Sequence, residues 1–129
     1  MTAYLLDTNI ALLALSSPSS IPGPVRQRIE ATPRLLSVIS FWEVLLKSMK
    51  GKLEVGDPRA WWLEALQRLS ATPLPLRAEH VAEIYSLSPI HQDPFDRALI
   101  GQAKAERLTI VTTDAEIARY PVECLRVQV

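Results

Sequence analysis

Cysteine is nearly absent from this 129-residue chain. The single one, Cys124, excludes an internal disulfide and a cysteine-rich metal site. Net charge is absent too: fourteen basic and fourteen acidic side chains cancel. A nucleic-acid partner is therefore not announced by the overall balance, and any basic footprint must be local. No apolar run approaches the roughly 20 residues of a membrane span. The N-terminal apolar run has no basic segment before it and is cut short by Asp7, which argues against a secretory signal peptide. Internal repeats, low-complexity tracts and a linker are all lacking. The hydrophobic share, 48%, is enough for a packed core and argues against disorder. The expectation is a single domain over residues 1–129, in a soluble cytoplasmic protein with no membrane partner.

What is there is organised around residues 91–103, His-Gln-Asp-Pro-Phe-Asp-Arg-Ala-Leu-Ile-Gly-Gln-Ala. Asp93 before Pro94 reads as an N-cap with proline at the first helical position. The helix runs to about Arg107, with Phe95, Leu99 and Ala103 as its core-facing stripe. Asp96 falls in the first turn, beside that stripe, facing the positive end of the helix dipole. Its bland role is the acidic third residue of a capping box.

The rest of the chain alternates short apolar runs with helical patterns. Residues 3–6 form a strand candidate ending at Asp7, and Thr8 is placed to cap the helix that follows. Prolines and serines over residues 16–24 mark a loop, and a polar helix with Val25 and Ile29 inward follows. Residues 35–39 form a second strand. Ser40 and Glu43 have capping-box spacing for the next helix, whose buried stripe is Trp42, Leu45, Leu46 and Met49, with Glu43, Lys47 and Lys50 on another face. Asp57-Pro58 opens a helix with Trp62, Ala65, Leu66 and Leu69 inward; the adjacent Trp61 cannot share that face. Two prolines confine residues 73–76 to an edge strand or extended linker. Residues 78–87 read as a helix with Val81, Ile84 and Tyr85 inward. Residues 109–112 form a third clear strand, 115–119 a short helix and 123–127 a last strand. Alternation of this kind implies a parallel sheet covered on both faces, with ligands beyond the carboxyl ends of the strands.

Asp7, Glu43 and Asp114 all belong on that carboxyl edge. Asp96 joins them if the start of its helix reaches the same edge. Four converging carboxylates repel one another, and a cation would hold them together. An oxygen-only donor set points to Mg²⁺ or Mn²⁺, and the chemistry that fits is metal-assisted phosphodiester hydrolysis. Each acid also has an ordinary role: Asp7 as a turn residue, Glu43 as a capping-box partner of Ser40 or an i+4 mate of Lys47, Asp114 as a helix cap. His91 reads as a loop residue and His80 as a helix-surface residue. Lys47, Lys50, Lys52 and Arg97 are solvated charges on the bland reading. Lys47, Lys50 and Arg97, close in sequence to the acids, form a local phosphate-binding rim on the sharper one.

Asp7-Thr8-Asn9 after an apolar strand, Ser40-Phe41-Trp42-Glu43, His91 to Arg97 and Thr112-Thr113-Asp114 together resemble the PIN-domain ribonucleases. Within them the nearest group is the VapC toxins of bacterial toxin–antitoxin pairs. The resemblance spans about residues 3–127. It implies a compact three-layer α/β/α domain with a central, mainly parallel sheet of four to five strands. It implies a Mg²⁺- or Mn²⁺-dependent endoribonuclease whose acidic site maps onto Asp7, Glu43, Asp96 and Asp114, with Asn9 and Thr113 as hydrogen-bonding neighbours. It also implies a homodimer and a cognate VapB-type antitoxin that covers the site. Tyr120-Pro121-Val122 departs from the pattern, since relatives often carry glycine in place of the proline. Two other readings stay open: a phosphoacceptor signalling module, which lacks its usual second acid beside Asp7 and a lysine after Arg107, and a non-catalytic binding domain whose acids only cap helices.

Overall fold

The computed structural model describes residues 2–129. Its centre is a five-stranded sheet, every neighbouring pair parallel. The strands are β1 (Tyr4–Leu6), β2 (Arg34–Ser37), β3 (Thr72–Leu74), β4 (Thr109–Thr112) and β5 (Cys124–Arg126), in the order β3-β2-β1-β4-β5. Six α-helices cover it: α1 (Thr8–Ser16), α2 (Gly23–Glu30), α3 (Val38–Met49), α4 (Pro58–Arg68), α5 (Ala78–Ile84) and α6 (Pro94–Glu106). None is long and apolar enough to cross a membrane.

Strand alternation splits the core in two. Leu5 and Ile110 point to one face, where Leu99, Ile100 and Ala103 of α6 meet them. Tyr4, Leu6, Leu36 and Val111 point to the other, against Ile10 and Ala11 of α1 and Trp61 and Ala65 of α4. Helix α3 closes one end of both layers, with Ile39 in the first cluster and Val44 in the second. The result is the three-layer α/β/α arrangement expected from the residues. The prolines confine β3 to an edge, as their missing donors require.

Several local expectations are corrected. Helix α1 is capped by Asp7, which accepts from the Ile10 N–H, and not by Thr8. The second strand stops at Ser37, and the Ser37 hydroxyl caps α3 through the Ile39 N–H. Ser40 is therefore inside the helix, and Glu43 lies in its second turn with no capping-box role. The orientation of α3 changes with it. Its buried residues are Ile39, Ser40, Glu43 and Val44, while Trp42 is 54% exposed and Met49 more so. Trp42 packs its edge on Phe95, with ring centroids 5.2 Å apart. In α4 the fully inward tryptophan is Trp61; Trp62 is half-buried and stacks on Phe41 at 5.0 Å. The segment after β4 holds only a 3-10 turn over Ile117–Arg119.

Helix α5 also sits one residue out of the expected register. Tyr85 is 97% exposed and Val81 half exposed, while His80 is completely buried. The cause is close packing on α6. A Cβ on Gly101 would lie 2.7 Å from the His80 carbonyl oxygen and 3.2 Å from Ile84, so only glycine permits this approach. The contact face is thus His80 and Ile84, one turn apart, and the apolar Val81 and Tyr85 are turned outward. His80 is not a surface residue: its Nδ1 accepts from the Arg77 N–H at 3.0 Å and its Nε2 faces Glu106 at 2.8 Å.

Candidate metal centre

Every expected acid reaches one cleft of about 360 Å³ at the carboxyl edge of the sheet, lined by Asp7, Thr8, Asn9, Leu12, Glu43, Lys47, Asp93, Asp96, Thr113 and Asp114. Parallel strands bring them there. Asp7 follows β1 and Asp114 follows β4, its neighbour in the sheet; α3 and α6 bring Glu43 and Asp96 in from the side.

Asp7 is 4% exposed, and each of its carboxylate oxygens accepts one hydrogen bond. Its Oδ1 accepts the Ile10 N–H at 2.8 Å, and its Oδ2 accepts the hydroxyl of Thr112. Burial pushes its carboxyl up to about 6; the two hydrogen bonds oppose the rise, and the charges of Glu43 and Asp114 add to it. Glu43 is 5% exposed. Its Oε2 accepts from Lys47 Nζ at 2.8 Å, a bond that raises the lysine above its ordinary range. Its Oε1 is buried and has no hydrogen-bond partner among the described residues. A buried carboxylate oxygen without a donor is costly, and neither capping nor the i+4 pair with Lys47 explains it.

Asp96 occupies the first turn of α6, but it does not close a capping box. Asp93 caps the helix through the N–H groups of Phe95 and Asp96, while its own N–H donates to His91 Nδ1 at 3.2 Å. The Asp96 carboxyl is left to the cleft. Burial pushes it up to about 7, reinforced first by the charge of Asp93 and then by Glu43 and Asp7, with the neighbouring His91 pulling the other way. Asp114 accepts the Glu116 N–H at 2.8 Å through Oδ1, a local turn bond, and turns Oδ2 toward the imidazole of His91 at 2.9 Å.

The secondary candidates divide. Asn9 Nδ2 donates to Thr113 Oγ1 at 3.0 Å at the cleft mouth. Lys47 lines the cleft; Lys50 is exposed at the C-terminal end of α3 and does not. Gly51, with φ near +70°, ends that helix as its sequence suggests. Arg97 is not a solvated charge. Its guanidinium donates to the carbonyls of Ser88, His91, Ile84 and Leu87 and to the Tyr120 hydroxyl, at 2.9–3.4 Å. It fastens the loop between α5 and α6, so it does not serve as the rim charge expected from its place in the sequence.

Two participants escape the sequence reading. Thr112 is buried, and besides holding Asp7 its hydroxyl accepts the Asp114 N–H at 2.9 Å. Its place two residues before Asp114 at a strand end was the available signal. His91 is not a plain loop residue, because its Nε2 stands 2.8 Å from Asp96 and 2.9 Å from Asp114. That pairing depends on an acid 23 positions away, and no local pattern announces it.

The residues fit a hard divalent cation. The donor set of Asp7, Glu43, Asp96 and Asp114 is all carboxylate oxygen, and it includes one buried oxygen lacking any partner and two carboxyls raised well above 3.8. Among the described residues, two groups have ligand atoms within 4.8 Å of one another: His91, Asp96 and Asp114 in this cleft, and Glu79, His80 and Glu106, which does not fit. Both His80 ring nitrogens are already engaged, Nδ1 by a backbone donor and Nε2 by Glu106.

Comparisons with known proteins agree with this architecture. Among curated proteins none matches the sequence. The solved structure of VapBC2 from Rickettsia felis bound to a promoter DNA fragment contains a similar chain, with a TM-score of 0.74 at 18% identity over 98% of this chain and all of that one. DNA-bound VapBC from Salmonella typhimurium aligns at a TM-score of 0.70, also at 18% identity, over 98% of both chains. FitAcB from Neisseria gonorrhoeae aligns at 0.63 with 21% identity, over 95% of this chain and 96% of that one. These likenesses show the fold. The family model of the PIN domain matches residues 4–123, and the chain belongs to the PIN-domain family.

Proposed function

We propose that this protein is a Mg²⁺- or Mn²⁺-dependent endoribonuclease and the toxin of a type II toxin–antitoxin pair. The observation that carries the reading is Glu43 Oε1, buried beside three other acids with no donor. In a binding module whose acids only cap helices, Asp7, Asp93 and Asp114 have work to do, whereas Glu43 caps nothing and its pair with Lys47 engages Oε2 alone. Membership of the PIN-domain family and the likeness to VapBC and FitAcB chains support the same reading.

Asp7, Glu43, Asp96 and Asp114 would hold the cation, which when bound supplies a water of lowered pKa and neutralises charge at a scissile phosphate. Asp7 is fixed in place by Thr112 and Ile10, so its oxygens are oriented before any ligand arrives. Lys47, half exposed over the cleft, offers a charge to a backbone phosphate, and Asn9 with Thr113 offers neutral hydrogen bonds beside it. The partner is a VapB-type antitoxin, and the site of action is the cytoplasm. A homodimer is part of the proposal; the apolar residues Val81 and Tyr85 left outward on α5 are a surface that a second copy would cover.

Purified protein free of antitoxin should cleave RNA with Mg²⁺ or Mn²⁺ and stop with excess chelator. Cleavage that survives chelation, or that persists in Asp7→Asn, would defeat the reading. Co-purification with the product of a small neighbouring gene tests the antitoxin, and sedimentation tests the dimer.

A further inference from the structure

We propose that His91 is a displaceable internal occupant of the space between Asp96 and Asp114, which a divalent cation must expel before it can take both carboxylates. This rests on the nuclease reading above, because it counts those two acids among the cation's holders.

The first observation is position. The His91, Asp96 and Asp114 ligand atoms lie within 4.8 Å of one another, with Nε2 2.8 Å from Asp96 Oδ2 and 2.9 Å from Asp114 Oδ2. An ion held by both carboxylates would need the space between them that the ring nitrogen fills. The ring nitrogen and the ion cannot share it unless the nitrogen is itself a ligand.

The second observation rules that out for this arrangement. The Asp93 N–H donates to His91 Nδ1 at 3.2 Å, so in this arrangement Nδ1 supplies a lone pair and Nε2, standing between the two carboxylates, is the nitrogen left to carry the ring proton. A histidine that binds a metal through Nε2 needs that nitrogen bare, and its other ring N–H usually donates to an acceptor. Here the other nitrogen faces a donor. His91 is built to donate into the acidic pair.

The third observation is that the backbone at His91 is held by bonds that do not involve its ring. The His91 N–H donates to the Tyr120 hydroxyl at 2.7 Å, and its carbonyl accepts from Arg97 at 3.3 Å. Both bonds hold the backbone, so displacing the ring would require a change of side-chain rotamer and the loss of the Asp93 N–H bond to Nδ1, with no shift of the chain. Without metal, the Nε2–H relieves part of the repulsion between Asp96 and Asp114; its displacement then weakens cation binding.

Calorimetric titration of Mg²⁺ and Mn²⁺ into wild type and His91→Ala tests this. Removing the occupant should tighten binding by about two- to tenfold, the range spanned by a typical hydrogen bond, and should lower the melting temperature of the metal-free protein. In ¹⁵N-histidine spectra of the wild type, His91 should be the Nε2–H tautomer and should keep that proton when Mg²⁺ is added, with its shift moved. Weaker or unchanged binding in His91→Ala, or loss of the Nε2 proton on Mg²⁺ binding, would overturn the proposal while leaving the nuclease reading intact. If His91→Ala does not fold, the spectra of the wild type decide. If neither folded protein binds either cation, the nuclease reading fails and the proposal with it.

Discussion

Thr112 donates its hydroxyl to Asp7 across the boundary between β4 and β1, and the same oxygen receives the Asp114 N–H. One buried side chain therefore orients two of the acids at the sheet edge. Thr112→Val keeps the shape and removes both bonds. Partners of this kind, when lost, typically cost 10- to 100-fold in metal affinity. Mn²⁺ titration should show a loss of that size, with Thr112→Ser recovering most of it. Unchanged affinity in Thr112→Val would mean that Asp7 needs no orienting partner.

The raised carboxyls predict an unusual pH profile for the metal-free protein. Asp7 is held near about 6 and Asp96 near about 7, both mainly by burial, against 3.8 ordinarily. Below pH of about 4 the folded and unfolded states both keep these protons. Between about 4 and 7 the unfolded chain releases them first, so stability falls as pH rises. The slope approaches about 1.4 kcal/mol per pH unit for a fully retained proton, and is shallower for Asp96, which meets solvent on one side. Denaturant titrations across that window should show the decline, and Asp7→Asn should flatten the part between about 4 and 6. Saturating Mg²⁺, which favours the ionised acids, should restore stability at pH 7 and above. A metal-free profile that rises from pH 4 to 7 as steeply in Asp7→Asn as in wild type would contradict the assignment.

Lys47 should act on binding more than on chemistry. Lys47→Gln removes the cation beside the cleft and leaves Glu43 with a second oxygen lacking a charged donor. Apparent KM should rise and its salt dependence should flatten, with kcat little changed. Lys50→Gln, outside the cleft, should do less. An unchanged salt slope when Lys47→Gln and Lys50→Gln are combined would place the phosphate rim elsewhere.

The carboxyl-edge placement of Asp7 and Asp114 was legible because it follows from strand alternation in a parallel sheet, and the α6 start because Asp-Pro has one strong local meaning. The register of α3 was not. Ser37 and Ser40 are both competent caps three residues apart, and only the pairing of Leu36 and Ser37 with β3 decides between them. The apolar stripe misled for a related reason: Trp42 and Met49 lie outward on α3, so hydrophobic periodicity pointed away from the buried carboxylate. His80 and His91 acquire their roles from Glu106 and Asp114, contacts that depend on tertiary packing.

The most direct test of the central claim is the melting temperature of Asp96→Asn with and without Mg²⁺ or Mn²⁺. Asp96 closes no capping box, so neutralising it removes repulsion in the acidic cleft at the loss of a dipole contribution of about 0.3–1 kcal/mol. The account predicts a metal-free melting temperature equal to or above that of wild type, and no cleavage. Asp93→Asn is the control for the helix start, since asparagine caps about as well as aspartate. A cation at about 100 times its Kd stabilises the folded state by roughly 2.7 kcal/mol, which for a domain of this size is on the order of 10 °C. Wild type should show that shift and Asp96→Asn much less of it. A lowered metal-free melting temperature in Asp96→Asn, with equal metal-induced shifts in both proteins, would return Asp96 to a purely structural role and contradict the account.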